Sequence, residues 1–108
     1  MTKEARFSIV NTTVSGEEDA RKLAEKIVAE KLAACAQYMP IRSVYRWKGA
    51  VESAPEFLLI AKTRTSLAPK LVAFIRANHA YEVPEILVTR LEDGLPEYLA
   101  WIEAETGE

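Results

Sequence analysis

At 108 residues the chain is long enough to bury a core without disulfide or metal staples, and short enough that one domain spanning 1–108 is the expectation. Its composition, 49% apolar and 28% charged with both signs interleaved to a formal charge of −2, suits an ordinary globular protein and offers no basic stripe for nucleic acid. Cys35 stands alone, which excludes an intrachain disulfide, and no run of about 18 apolar residues marks a membrane span. The start, Met1-Thr2-Lys3-Glu4-Ala5-Arg6, is polar and lacks the apolar core of a signal peptide, so a cytosolic protein is expected.

Taken in chain order, Phe7 to Thr13 reads as a strand from its β-branched and aromatic content. Ser15 with Glu18 three residues later has the form of a capping box. Glu17, Glu18 and Asp19 supply first-turn negative charge, and Ala20, Leu23, Ala24, Ile27 and Val28 fall on one helical stripe. A long extended arm runs from Leu32 to Trp47, bent or edge-lying at Pro40. Lys48-Gly49 makes a tight turn, and a return arm runs from Ala50 to Thr63, interrupted near Ser53-Ala54-Pro55. Thr65 or Ser66 caps a second helix with Pro69 in its first turn and Leu67, Leu71, Phe74, Ile75 and Asn78 on one face. Glu85 to Arg90 is a fourth strand, and a last short helix carries Leu95, Tyr98, Leu99 and Ile102.

The order βαββαβ plus a helix predicts a ferredoxin-like α+β sandwich with a long hairpin between its second and third strands. Phe57 to Ala61 and Ile86 to Val88 are apolar without alternation, as in strands covered on both faces, yet the helices of one chain cover only one face. Other copies of the chain must cover the rest, so a homo-oligomer is expected.

With these elements placed, the sequence resembles the divalent-cation tolerance (CutA) family. The resemblance is carried by Ala24-Glu25-Lys26, Ala29 to Cys35, Tyr45-Arg46-Trp47-Lys48-Gly49, Lys62-Thr63, His79 to Glu85, and Tyr98-Leu99-Ala100-Trp101-Ile102, which span nearly the whole chain in order. It implies an intertwined homotrimer whose long hairpins reach into neighbouring subunits. It also implies a cytoplasmic protein tied to tolerance of copper and other divalent metals, binding Cu(II). The metal ligands ascribed to the family are a cysteine near the end of the first strand and two adjacent histidines. They fall here on Asn11, Asn78 and His79, and the proline after the second histidine falls on Ala80.

His79 and Cys35 are the candidate metal ligands, since imidazole and thiolate both suit copper and zinc. The plainer reading of Cys35, flanked by Ala33, Ala34 and Ala36, is a small buried hydrophobe, and that of His79 is a helix-ending residue whose ring bonds a nearby carbonyl or carboxylate. Trp47, Lys62, Tyr81, Glu82 and Glu85 form a candidate inter-subunit cleft. Trp47 shares a strand face with Tyr45, and for both rings packing against a partner subunit is the plainer reading. No nucleophile–histidine–acid set or phosphate-cradling loop is present, so no enzyme and no required cofactor are expected beyond a possible Cu(II) or other divalent cation. Three functions follow: a trimeric metal-binding tolerance protein; a sensor of the PII signalling type taking a small anionic metabolite or nucleotide between subunits; or a trimeric scaffold for partner proteins.

Overall fold

The computed structural model describes residues 5–107. β1 (Phe7–Val14), β2 (Cys35–Trp47), β3 (Ala50–Arg64) and β4 (Ile86–Leu91) form one antiparallel sheet in the order β2-β3-β1-β4. Each helical crossover, α1 (Glu17–Ala29) between β1 and β2 and α2 (Ala68–Ala77) between β3 and β4, joins strands with another strand inserted between them. This is the split βαβ arrangement that the element order predicts. A third helix, α3 (Pro96–Ala104), follows β4.

Period-two alternation sets one face of the sheet against α1 and α2. Val10, Leu59 and Ala61 point into the core and meet Ala20, Leu23, Ala24 and Ile27 of α1 and Leu71 and Ile75 of α2. Each fully buried Leu or Ile contributes about 2 kcal/mol of apolar transfer free energy. The α1 start differs from the expected capping box. Gly16 occupies the N-cap in extended conformation, Ser15 donates instead to Asp19 Oδ2 at 3.4 Å, and Glu18 turns outward to pair with Arg21. Neither Thr65 nor Ser66 caps α2. Thr65–Leu67 form a 3₁₀ turn that runs into the helix, with Pro69 in its first turn as expected.

The return arm is not interrupted. β3 is continuous through Pro55, which pairs with Arg42, and Pro40 of β2 pairs with Phe57. Both prolines are tolerated for one reason. β2 is an edge strand, and β1 reaches along β3 only as far as Phe57, so each proline lies on backbone with a free side. Beyond that point Ile41–Trp47 and Ala50–Glu56 pair only with each other, as a two-stranded ribbon projecting from the sheet. The projection shows in the dimensions: the radius of gyration is 14.7 Å, against about 13 Å for a compact chain of this length.

α3 covers one end of the opposite sheet face. Its Ile102 is buried, whereas Tyr98 and Trp101, and Leu95 at the N-cap, remain exposed. Its C-terminal turn is fastened by Arg64, which donates to Thr106 Oγ1 at 2.9 Å and to the Thr106 carbonyl at 2.7 Å. Gly107 N–H adds a bond to the Lys31 carbonyl at 2.9 Å. The rest of that face is open: Leu87 is 56% exposed and Met39 47%.

Candidate functional site

The segment between α2 and β4 is built by local bonds. Asn78 ends the helix, its Nδ2 donating to the Phe74 carbonyl at 2.9 Å. His79 then turns its ring back onto β1, where Nε2 lies 2.8 Å from the Thr13 carbonyl, and Nδ1 accepts the Tyr81 N–H at 3.1 Å. A carbonyl only accepts, so Nε2 carries the proton and Nδ1 offers its lone pair inward. The His79 and Tyr81 rings lie 4.8 Å apart. The Tyr81 hydroxyl donates to Glu56 Oε2 on β3 at 2.8 Å, and Glu85 accepts from Asn11 Nδ2 on β1 at 2.9 Å. Three bonds from different parts of the loop thus fix it against the sheet.

Between this loop and one face of the ribbon lies a cleft of about 560 Å³ lined by Thr13, Ser43, Val44, Tyr45, Trp47, Glu56, Tyr81, Glu82, Val83 and Glu85. The register places Ser43, Tyr45, Trp47 and Glu56 on one face of the ribbon, the face continuous with the open side of the sheet. Burial and then the bond to Glu56 push the Tyr81 phenol well above the ordinary tyrosine range, so it stays a neutral donor.

Of the five residues expected in a cleft, Trp47, Tyr81, Glu82 and Glu85 come together here. Lys62 does not join them within one chain: six residues along β3 from Glu56, its Nζ lies 3.5 Å from the Tyr98 hydroxyl and 5.6 Å from that ring's centre. Glu56 is the residue that sequence reasoning missed. The signal was available, because the two-residue Lys48-Gly49 turn fixes the register and puts Glu56 on the Tyr45–Trp47 face.

The two candidate metal ligands are apart within a chain. Cys35, half-buried at the start of β2, lies opposite Lys62, in the row of Ile9 and two strands from β1. His79 contacts Thr13, four residues further along β1, roughly 13 Å away. Both ring nitrogens of His79 are also engaged by backbone groups. Among the described residues no three His, Cys, Asp or Glu side chains converge to hold a metal ion. The described residues of one chain therefore do not supply a closed metal site.

Comparison with known proteins places these features. Residues 8–105 match the family model described as CutA1 divalent ion tolerance protein. The chain is 46% identical over 99 residues to the chloroplastic protein CutA of Arabidopsis thaliana, a match that takes in 91% of this chain and 54% of that protein. It is 44% identical over 100 residues to the divalent-cation tolerance protein CutA of Thermus thermophilus, covering 92% of this chain and 97% of that one. The chain thus spans about half the length of the plant relative and nearly all of the bacterial one. The solved structure of CutA1 from Oryza sativa superimposes with a TM-score of 0.92 at 42% identity, covering 96% of each chain.

Proposed function

The chain belongs to the CutA1 divalent ion tolerance family, and from that premise we propose that it acts in divalent-cation tolerance as a non-enzymatic, homotrimeric binder of divalent metal ions, Cu(II) first among them. The observation that carries this reading is the family match over almost the entire chain, residues 8–105, joined to a fold that superimposes throughout. The trimer is supported by the open sheet face and by the unsupported ribbon, since a two-stranded hairpin is marginal in water unless something packs on it. Assembly is also the means by which a chain whose described residues form no closed metal site would gain ligands.

In this reading His79 supplies the nitrogen ligand. Freeing its Nδ1 leaves the Tyr81 N–H without its acceptor, at a cost of about 1–3 kcal/mol, so cation binding is weak by construction. Cys35 then serves only if a neighbouring copy brings it to the ion. The cytosol remains the proposed compartment, on composition alone; the Arabidopsis relative carries the name chloroplastic. Isothermal titration with Cu(II) and Zn(II) on the assembled protein tests the proposal. His79→Ala is expected to weaken Cu(II) binding at least about tenfold, and undiminished binding in that variant would remove His79 from the site. The rival sensor reading draws support from the cleft, but among the described residues of one chain carboxylates and no basic side chain line it, so an anionic ligand there would depend on a basic residue such as Lys62 from a neighbouring copy.

A further inference from the structure

We propose that a second copy of the chain completes the cleft between the ribbon and the Tyr81–Glu85 loop by placing its Lys62 among the carboxylates there. The proposal rests on the trimer reading above and names the two surfaces that meet in it. One is the cleft. Tyr45, Trp47 and Tyr81 line it together with Glu56, Glu82 and Glu85, and among the described residues of one chain no Lys, Arg or His does. Lys48, whose Nζ lies 5.7 Å from the centre of the Trp47 ring, belongs to the turn at the ribbon's end and is not part of the lining. The other surface is a patch at the opposite end of the same sheet face. Lys62 points to that face, as Glu56 does, and its Nζ lies 3.5 Å from the Tyr98 hydroxyl. The Tyr98 ring lies 5.4 Å from that of Trp101, and both are exposed.

The two surfaces match in sign and in kind: carboxylates and aromatic rings on one, an ammonium group and aromatic rings on the other. An ammonium–carboxylate pair is a charge-assisted hydrogen bond, and aromatic side chains are residues that interfaces concentrate. One chain does not bring the two surfaces together. Lys62 stands six residues, roughly 20 Å, from Glu56 along a continuous strand, and its side chain turns to Tyr98. Symmetry supplies what one chain does not. In a cyclic trimer each contact joins two different patches, and each copy offers both. With the cleft and the Lys62 patch at opposite ends of one sheet face, each copy fills one neighbour's cleft while the other neighbour fills its own. The ring then closes and leaves no cleft open. The contact also gives the ribbon a partner: Tyr45 and Trp47, exposed in the single chain, acquire the α3 rings to pack on.

Zero-length carbodiimide coupling of the full wild-type chain tests the contact, because it forms an amide only between an amine and a carboxylate already side by side. Light scattering on the same sample establishes the oligomeric state. The coupled protein is expected to run on a denaturing gel as a covalent trimer, and its digestion to yield Lys62 joined to Glu56 or Glu82. Lys62→Gln is expected to lose that product. Lys62→Glu is expected to raise the concentration at which copies separate at least about tenfold, and Lys62→Glu/Glu82→Lys to recover most of that loss. A trimer in which no Lys62 amide forms to Glu56 or Glu82, or a Lys62→Glu variant that separates no more readily than the wild type, would overturn the proposal and leave the trimer reading standing. A monomeric wild type would overturn both.

Discussion

At the scale of single residues, the loop before β4 depends on who donates to whom. His79 presents a proton outward to the Thr13 carbonyl and a lone pair inward to the Tyr81 N–H, while the Tyr81 hydroxyl donates a hydrogen bond to Glu56. The phenol can do so only while neutral, and burial with the nearby carboxylate raises its pKa. A group whose folded pKa lies above its unfolded value contributes stability that is complete below the unfolded value, about 10 for tyrosine, and is lost as pH rises through the folded one. Tyr81→Phe is therefore expected to cost about 1 kcal/mol from neutral pH to about pH 9. The gap from the wild type closes above about pH 10. Denaturant unfolding across that range checks it, and a gap independent of pH would show that the hydroxyl bond contributes nothing. The loss of one late-ionising phenol from the alkaline absorbance titration of the variant is the spectroscopic counterpart.

Among the elements, the hairpin is the one whose shape matters most to the site. Its turn residues Lys48 and Gly49 both have positive φ, 49° and 82°, the pairing that matches a two-residue turn to the right-handed twist of its strands. Lysine adopts that conformation at some cost, and glycine at none. Nothing lies within 4 Å of where a Cβ on Gly49 would stand, so Gly49→Ala isolates the backbone term. It is expected to destabilise by about 1 kcal/mol, and Lys48→Asn, which is better tolerated there, to move stability the other way. Thermal unfolding at one fixed protein concentration measures both, and an unchanged Gly49→Ala would mean that the turn is not held in this form. Because register propagates from the turn, a shift of one residue would carry Tyr45, Trp47 and Glu56 to the far face and abolish the cleft.

At the scale of the whole molecule, exposed apolar surface dominates. Val44 and Val51 near the ribbon end are 71% and 68% exposed, and Met39 and Leu87 lie bare on the open sheet face. A lone copy in water leaves these apolar side chains, on both faces of the strands, in solvent. Light scattering on the purified protein is expected to give about three times the 12.1 kDa chain mass. Leu87→Glu or Met39→Glu, each burying a charge in the interface, is expected to reduce it to that of the chain. A wild-type monomer at micromolar concentration would end the trimer reading and leave the ribbon unexplained.

Element order, most of the helix faces of α1 and α2 (Val28 and Asn78, which spacing put on them, are exposed), the Lys48-Gly49 turn and the family were legible in the sequence because each rests on local spacing: period 3.6, period 2, a positive-φ dipeptide, and motifs of contiguous residues. The same locality explains the errors. Ser15 and Glu18 have the spacing of a capping box, but the chain enters α1 through Gly16, and a proline reads as a break until the strand's neighbours are known. Four of the five expected cleft residues came together because the loop carries Tyr81, Glu82 and Glu85 in one short run and the ribbon face carries Trp47. Lys62 did not, since its strand continues past the cleft to the end covered by α3. The sequence alone determined which side chains exist and which face of each element they share. The tertiary structure decided that His79 gives both nitrogens to backbone groups, that Glu56 receives the Tyr81 hydroxyl, and that Cys35 lies far from His79. Those outcomes depend on strand order and register, long-range pairings that no local pattern encodes.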